Sequence, residues 1–316
     1  MKTFLVTGAS GYIGSHMCFE LRQNYPGCRI VGLDKVSKRK LKHLYDEFYL
    51  CDLAKSSQNY MKEKYDCIFH FAASTVVSEG ELNPYSYYHN NIMGSMNLID
   101  NAVFYKVKNF VFSSSCSVYG LAGKAKIDEM TKKDPQSVYA QTKSIIEDVL
   151  EGAWKEYGMR SSCLRYFNAA GRNVQAGLYE EHDPETHLIP ILYKETDINV
   201  YGTKYETPDG SAIRDYIHVV DICQAHIEAY EYMERNGKGI TCNIGTGQGH
   251  SVKELIAMCE ILYQKKFNVT ECSPRFGDVP RLVANTEKMR EELTFEPLYD
   301  IISIIESVRE TEDALC

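Results

Sequence analysis

The chain has 316 residues, 44% of them hydrophobic, which is enough to bury the core of one large domain or two smaller ones. Its 35 basic and 43 acidic residues give a formal net charge of -8, which repels nucleic acid and anionic membranes. The 11 cysteines lack C-x-x-C spacing, so they favour neither disulfides nor zinc and predict a reducing, cytoplasmic compartment. No apolar stretch is long enough to suggest a membrane span. We therefore expect no nucleic-acid, membrane or metal partner.

Short apolar segments alternate with longer helical patterns through the first half of the chain. In order these are FLVT, a helix over 15–25, RIVGLD, EFYL, CIFHFAA, a helix over 84–106, NFVFSS and a helix over 137–157. This alternation predicts βαβ units, and continuous apolar strands are typical of a parallel sheet covered on both faces. The expected fold is α/β, a Rossmann-like doubly wound parallel sheet with a smaller C-terminal substrate-binding region.

The rhythm changes after about Tyr166, where segments containing Gly and Pro separate shorter elements. Later strand and helix patterns, such as RDYIHV with 219–234 and TCNIG with 252–263, indicate that the chain passes between two regions. We assign residues 1–166, together with returning segments at about 212–248, to a nucleotide-binding domain. Residues 167–316 are expected to form mainly the substrate-binding region.

The segment TGASGYIG, residues 7–14, follows the first strand and opens the first helix. Gly8, Gly11 and Gly14 allow a sharp turn and a close approach to a pyrophosphate, which the helix N-terminus favours. Asp34 ends the second strand, where a carboxylate can accept hydrogen bonds from ribose hydroxyls and favours NAD over NADP. The predicted cofactor is therefore NAD, with further contacts at Tyr12, Ile13, Asp52, Leu53, Phe71, Ala72 and Ala73.

Tyr139 and Lys143 stand four residues apart at the start of a predicted helix, so their side chains share one face. A free tyrosine has a pKa of about 10 and is a poor base near neutral pH. A neighbouring ammonium group and an oxidised nicotinamide are both cations, and each can lower that pKa by about 1 to 3 units. The pair therefore predicts a tyrosine general base, and the serine-rich segment SSSCSVYG at 113–120 lies upstream of it.

The motifs of the chain together resemble the extended short-chain dehydrogenase/reductase family, and within it the branch that epimerises UDP-hexoses at C4. The motifs that carry the resemblance are TGASGYIGSH, FAA, YYHNN, SSSCSVYG, YAQTK, RYFNAAG, HLIP, DGSAIRDYIHV and PRFGD. The resemblance implies that Ser115, Tyr139 and Lys143 are catalytic and that NAD is also contacted by Tyr139, Lys143, Asn90 and Phe167. It implies a UDP-sugar substrate held by Ser115, Asn168, His187, Leu188, Asn199, Tyr201, Arg214, Arg275, Asp278 and Leu282.

The implied reaction converts UDP-galactose to UDP-glucose through a transient 4-keto sugar. The related 4,6-dehydratases carry an Asp-Glu pair where this chain has Ser117 and Val118, so elimination is disfavoured. Leu282 is intermediate in size at a position that selects the sugar 2-substituent, which leaves open an epimerase of UDP-N-acetylglucosamine or one with dual specificity. A non-catalytic NAD-binding regulator is the alternative of another class. A serine or cysteine hydrolase is disfavoured because no G-x-S-x-G surrounds Ser115 or Cys116.

The family resemblance implies a homodimer formed through the helices over 91–106 and 144–157. Ser113 and Ser114 are expected to satisfy backbone groups where the fifth strand ends. His70 lies inside the fourth strand and is expected to be a hydrogen-bonded core histidine rather than a ligand.

Overall fold

A computed structural model describes residues 1–55, 61–121, 125–181, 185–275 and 278–310. The chain divides into two compact units. The first comprises Met1–Gly120, Lys133–Arg165 and Cys223–Cys242, and the second comprises Leu121–Lys132, Tyr166–Ile222 and Asn243–Cys316. Within the described ranges, no helix has the length and apolar character needed to cross a bilayer.

The strands follow the predicted order and lengths closely in the first half of the chain. They are β1 Thr3–Thr7, β2 Arg29–Asp34, β3 Glu47–Leu50, β4 Cys67–His70, β5 Asn109–Ser115, β6 Arg160–Tyr166, β7 Asn168–Ala170, β8 Asp197–Tyr201, β9 Ile213–Arg214, β10 Tyr216–His218, β11 Thr241–Ile244, β12 His250–Ser251, β13 Asn268–Cys272 and β14 Arg281–Leu282.

The helices are α1 Tyr12–Asn24, α2 Val77–Leu82, α3 Pro84–Tyr87, α4 Gly94–Phe104, α5 Val138–Tyr157, α6 Leu188–Lys194, α7 Val219–Asn236, α8 Val252–Leu262, α9 Glu287–Glu291 and α10 Ile301–Glu310. The single helix predicted over 84–106 is instead α3, a π-helical turn over Tyr88–Met93, and α4. The spacing of apolar residues does not distinguish a π turn from an ordinary α-helix. Such π turns are frequent at functional sites.

The large sheet has seven strands in the order β11-β6-β5-β4-β1-β2-β3. The pairs β1 with β2, β1 with β4, β2 with β3 and β4 with β5 are parallel. The chain therefore runs outward from β1 in one direction and then returns beside β1 to run outward in the other. This reversal places a crevice at the carboxyl ends of β1 and β4, where open α/β sheets bind ligands.

Helices cover both faces of the sheet in the first unit. Leu5, Ile68 and Phe110 pack in one apolar cluster with residues of α4 and α5. Phe4 and Phe69, which alternate with them, instead contact Tyr230 of α7, with ring centroids 5.5 and 6.4 Å apart. Period-two alternation in a sheet covered on both faces explains why these strands are apolar throughout. The predicted doubly wound α/β fold is confirmed.

The second unit contains short strand groups around its own core. β10 pairs with β7, β13 pairs with β8, and β9 lies between β12 and β14. Its apolar cluster includes Ile189 and Leu192 of α6, Leu255 of α8 and Ile304 of α10. The pairing of β14 with β9 sets Leu282 opposite Arg214, so two residues predicted to bind substrate are neighbours.

Candidate active site

The turn between β1 and α1 requires glycine at two of the three predicted positions. Gly8 has a φ of +69°, and a Cβ atom there would lie 2.7 Å from the backbone nitrogen of Ala72. A Cβ atom on Gly14 would lie 2.1 Å from the carbonyl oxygen of Gly8. Gly11 caps α1 without a side chain, which leaves the first turn open to a pyrophosphate. Tyr12 and Ile13 follow it and are half-buried.

Asp34 stands beside this turn at the end of β2. Its carboxylate accepts hydrogen bonds from the backbone N–H of Ser10 at 3.0 Å and of Val36 at 3.1 Å. Burial raises the pKa of Asp34, while these backbone donors lower it. Asp52 lies after the neighbouring strand β3, where its carboxylate accepts the N–H of Ala54 at 3.1 Å. The pattern of a glycine turn followed by a carboxylate fits the pyrophosphate and ribose of NAD.

The segment after β4 is fixed against both the glycine turn and the π turn. The N–H of Phe71 donates to the carbonyl oxygen of Thr7 at 3.1 Å, which places Phe71 and Ala72 next to Gly8, with Ala73 following. Asn90 donates from Nδ2 to Oγ of Ser74 at 2.9 Å. Leu53 is largely buried in the core of the first unit, and Phe167 is buried in the second.

Ser115, Tyr139 and Lys143 all belong to the first unit. Ser115 ends β5 and caps the following short helix, and its Oγ accepts from the N–H of Ser117 at 3.2 Å and from Oγ of Ser117 at 3.0 Å. Tyr139 lies in the first turn of α5, which Ser137 caps by accepting the N–H of Ala140 at 3.2 Å. Ser115 is thus placed by the end of a strand, and Tyr139 by the start of a helix.

Lys143 follows Tyr139 by one helical turn and is only 3% exposed. Its Nζ lies 5.6 Å from the centre of the Tyr139 ring and 4.9 Å from that of Phe112. It donates a hydrogen bond to the carbonyl oxygen of Ser113 at 2.7 Å. Burial lowers the pKa of Lys143 to about 7, and the carboxylate of Glu147 opposes that shift.

His70 lies at the end of β4 and is almost fully buried. Its Nε2 is 2.8 Å from Oγ of Ser95, which itself donates to the carbonyl oxygen of Asn91 at 2.6 Å. Ser95 therefore accepts from Nε2–H, and Nδ1 accepts from Oγ1 of Thr7 at 2.6 Å. Burial, with a smaller contribution from the charge of Lys143, lowers the pKa of His70 to about 3. The expectation of a hydrogen-bonded core histidine is confirmed.

The predicted role of Ser114 is wrong. Its hydroxyl does not serve the backbone but donates to Oε1 of Glu147 at 2.6 Å. Sequence reasoning also missed Glu147 and Arg165, which form a buried ion pair in the first unit. A signal for Glu147 was available, because it stands four residues after Lys143 and eight after Tyr139 on the same face of α5.

In the second unit, several predicted substrate-binding residues lie close together. Arg214 donates from Nη2 to Oδ1 of Asp278 at 2.6 Å and from Nη1 to the carbonyl oxygen of Val279 at 2.8 Å. The guanidinium of Arg275 stacks 4.1 Å from the centre of the Tyr201 ring. Two guanidinium groups, Arg214 in β9 and Arg275 after β13, suit a pyrophosphate in an otherwise acidic protein. Phe276 and Gly277 of the PRFGD motif lie outside the described residues.

The remaining predicted substrate contacts lie on three elements of the second unit. Asn168 begins β7, and its N–H donates to the carbonyl oxygen of Asp215 at 2.9 Å. His187 caps α6, with its Nδ1 hydrogen-bonded to Glu180, and Leu188 is the first residue of that helix. Asn199 is an exposed residue of β8.

Comparison with known proteins identifies the family to which this fold and site belong. A model of the NAD dependent epimerase/dehydratase family matches residues 4–245. The chain belongs to this family. The prediction of family membership is therefore confirmed.

Relatives from this family match the chain over nearly its whole length. It is 38% identical over 320 residues to a UDP-glucose 4-epimerase of Rhizobium meliloti (strain 1021), spanning 97% of this chain and 95% of that protein. The crystal structure of UDP-glucose 4-epimerase from Brucella ovis in complex with NAD is 36% identical, with a TM-score of 0.88 over 97% of both chains. The UDP-Glc/GlcNAc 4-epimerase of Campylobacter jejuni is 31% identical, with a TM-score of 0.83 over 100% of both chains.

Proposed function

We propose that this chain is a UDP-glucose 4-epimerase that interconverts UDP-galactose and UDP-glucose with NAD as its cofactor. The observation that carries the proposal is the arrangement of Tyr139 and Lys143 on one face of α5, with Lys143 hydrogen-bonded to β5 two residues before Ser115. Near full-length similarity to proteins named as this epimerase supports the same reaction. The first unit is proposed to bind NAD and the second to bind the UDP group.

In the proposed reaction, Tyr139 removes the proton of the sugar 4-hydroxyl and later returns it. Ser115 donates a hydrogen bond to the same sugar oxygen, and its Oγ is oriented by the hydroxyl and backbone of Ser117. The ammonium group of Lys143 stabilises the tyrosinate by its charge. NAD held by the Gly8–Gly14 turn and Asp34 would supply a reversible hydride acceptor for C4 of the sugar, so the overall reaction would be redox-neutral.

The second unit is proposed to hold the substrate by its UDP group, so that the keto sugar can turn without leaving. Arg214 and Arg275 are assigned to the pyrophosphate, and Asn168, His187, Leu188, Asn199, Tyr201, Asp278 and Leu282 complete the proposed contacts. Arg214 is held in place by Asp278 and the Val279 carbonyl before any ligand arrives. Such preorganisation lowers the entropy cost of binding a pyrophosphate.

The test is to incubate the purified protein with UDP-galactose and to measure UDP-glucose by chromatography, together with NAD released on denaturation. We expect both bound NAD and an equilibrium mixture of the two sugars. Bound NAD without sugar conversion would instead support the alternative of a non-catalytic NAD-binding regulator. Loss of the sugar 6-hydroxyl as water, with a ketone left at C4, would support a 4,6-dehydratase.

A second candidate is an epimerase that also accepts, or prefers, UDP-N-acetylglucosamine. The structural relative from Campylobacter jejuni is named for both substrates, and Leu282 lies opposite Arg214 in the strand register. Leucine is smaller than an aromatic residue at this position and larger than glycine or alanine. Parallel assays with UDP-galactose and UDP-N-acetylgalactosamine decide between the two, since a site open to the acetyl group converts both at comparable kcat/KM.

We also propose a homodimer formed through α4 and α5. Apolar side chains are exposed on both helices, among them Met96 and Phe104 on α4 and Ile145, Trp154 and Tyr157 on α5. A second copy that covers these surfaces would remove them from water. Phe104→Glu is expected to give monomers in light scattering, whereas Leu298→Glu, at an exposed leucine of the second unit, is expected to leave dimers. A wild-type monomer would contradict the proposal.

A cytoplasmic location is proposed with the same function. The cysteines within the described ranges are all free thiols, which suits a reducing compartment.

A further inference from the structure

A buried polar cluster lies behind the three proposed catalytic residues and takes no part in the proton transfer itself. At its centre are Glu147 of α5 and Arg165 of β6, each 6% exposed. Arg165 donates from Nε to Oε1 of Glu147 at 2.8 Å and from Nη2 to Oε2 at 2.6 Å. A buried ion pair contributes little to stability compared with apolar residues of the same volume, so its presence calls for another role.

The cluster is attached to the chain on both sides of Ser115. Ser114, the residue before it, donates from Oγ to Oε1 of Glu147 at 2.6 Å. Tyr119, which ends the short helix after it, accepts a hydrogen bond at its hydroxyl from Nη1 of Arg165 at 2.9 Å. The ion pair therefore joins both flanks of Ser115 to the helix that carries Tyr139.

The same cluster governs the charge around Lys143. Tyr139, Lys143 and Glu147 are spaced four residues apart on one face of α5. Burial lowers the pKa of Lys143 to about 7, and the negative charge of Glu147 raises it. Without that carboxylate, the ammonium would lose the anion that opposes its desolvation.

Titratable groups from each neighbouring element lie near Lys143 or near the Glu147–Arg165 pair. They are Tyr139 and Glu147 on α5, His70 on β4, Arg165 and Cys163 on β6, Tyr119 after β5, and Lys133 before α5. His70 is neutral, since its pKa lies near 3, and burial keeps Cys163 as a neutral thiol by raising its pKa. Lys133 reaches Oε2 of Glu147 at 3.5 Å. Among these described residues, Glu147 supplies the negative charge. The cations Arg165 and Lys133 both contact it.

We propose that the Glu147–Arg165 pair is a positioning device that aligns Ser115 with α5 and keeps Lys143 in its ammonium form. The proposal rests on the proposed epimerase function. Glu147 and Arg165 are positioning residues, because they act through Ser115 and Lys143 rather than on the sugar.

Two substitutions change the local charge in opposite directions, which gives the proposal a specific signature. Glu147→Gln keeps the shape and part of the hydrogen bonding but leaves the charge of Arg165 uncompensated beside Lys143. Arg165→Met removes that cation and leaves the carboxylate. Deprotonation of Lys143 is expected to limit turnover at alkaline pH, since the neutral amine no longer stabilises the tyrosinate.

The experiment measures kcat of the NAD-loaded enzyme with UDP-galactose from about pH 6 to about pH 10. The alkaline limb of this profile is the range in which kcat falls as pH rises. We expect its midpoint to move down by about one pH unit in Glu147→Gln and to move up in Arg165→Met. Ser114→Ala, which leaves the charges unchanged, is expected to lower kcat without moving the limb. Glu151→Gln, at an exposed carboxylate one turn further along α5, should match the wild type.

A purely structural role predicts that Glu147→Gln and Arg165→Met both lower kcat while the alkaline limb stays where it is, and that result overturns the proposal. Bound NAD and thermal unfolding show which variants are folded. If Glu147→Gln does not fold, an unmoved limb in Arg165→Met is sufficient to overturn it. Failure of the epimerase function itself is distinct, because the wild type would then convert no sugar at any pH.

Discussion

The Nζ atom of Lys143 donates a hydrogen bond to the carbonyl oxygen of Ser113 at a distance of 2.7 Å. This bond joins α5 to the end of β5 two residues before Ser115, so the lysine is fixed in position as well as charged. Ordering a long, flexible lysine side chain costs considerable conformational entropy. The hydrogen bond to Ser113 offsets part of that cost and fixes the position of the ammonium group. The proposed base, its cation and the proposed hydrogen-bond donor thereby share one rigid support.

Tyr139→Phe is expected to retain NAD and to lower kcat for UDP-galactose by at least a few hundredfold, because it removes the proposed general base. Tyr157→Phe, at an exposed tyrosine near the end of the same helix, is the matched control and should behave as the wild type. Adding Lys143→Met to Tyr139→Phe is expected to cost little more, since residues that act as a unit are not additive. Near-normal turnover of Tyr139→Phe would refute its assigned role.

Gly8→Ala is expected to reduce the NAD content of the purified protein at least tenfold. The new Cβ would lie 2.7 Å from the nitrogen of Ala72, at a residue whose φ is +69°. Gly27→Ala is the control for backbone strain alone. Gly27 has a φ of +84°, but no atom lies within 4 Å of the new Cβ. Both changes should cost about 1 to 2 kcal/mol of backbone strain. Equal NAD content in the two variants would show that the close approach to Ala72 is unimportant.

His70 is expected to make the protein sensitive to mild acid. Its pKa falls from an ordinary value of 6.5 to about 3 on folding, so between these values the unfolded chain binds a proton that the folded chain does not. Acid therefore favours unfolding, and this contribution to stability is complete above pH 6.5 and is lost as pH falls toward 3.

The measurement is the free energy of unfolding by urea at several pH values in wild type and in His70→Gln, whose amide does not titrate. Between pH 6.5 and about pH 3, the free energy of unfolding of the wild type should fall by about 1.4 kcal/mol per pH unit more than that of the variant. His43→Gln, at an exposed histidine, should follow the wild type. Parallel pH curves for wild type and His70→Gln would contradict the prediction.

Leu282→Tyr is expected to raise the preference for UDP-galactose over UDP-N-acetylgalactosamine by about tenfold or more. Shape effects in such pockets are worth about 1 to 3 kcal/mol, and the larger ring would leave less room for an acetyl group. The ratio of kcat/KM values for the two substrates is the measurement. Leu298→Tyr, at an exposed leucine of the same unit, is the control. An unchanged ratio in Leu282→Tyr would remove Leu282 from the specificity pocket.

Much of the fold follows from local patterns in the sequence. β2 and β3 have the bounds of the apolar runs RIVGLD and EFYL. The middle of β2 is buried, as expected for a strand covered on both faces, whereas β3 lies at the edge of the sheet and has no buried residue. The π turn over Tyr88–Met93 was not predicted, since the apolar spacing of the segment is compatible with an ordinary helix. It depends instead on contacts such as that of Asn91 with the Ser74 carbonyl at 3.0 Å.

The buried cluster behind the proposed catalytic residues shows where local patterns fail. Glu147 and Arg165 stand 18 residues apart, on a helix and on the strand that follows it. A charged residue in an amphipathic helix usually faces water, so the spacing that puts Glu147 on the same face as Lys143 does not by itself indicate that Glu147 is buried. Only the tertiary fold brings the two charges together and turns the Ser114 hydroxyl toward them.

The position of Tyr230 has a consequence for how the polypeptide acquires its structure during synthesis. Tyr230 packs on Phe4 and Phe69, although more than half of the chain is made between those phenylalanines and this ring. Until α7 has left the ribosome, one face of the central sheet lacks this aromatic cover, and its exposed strands are open to association with other chains. A protein cut after β6 is therefore expected to aggregate rather than to persist as an independent nucleotide-binding fragment.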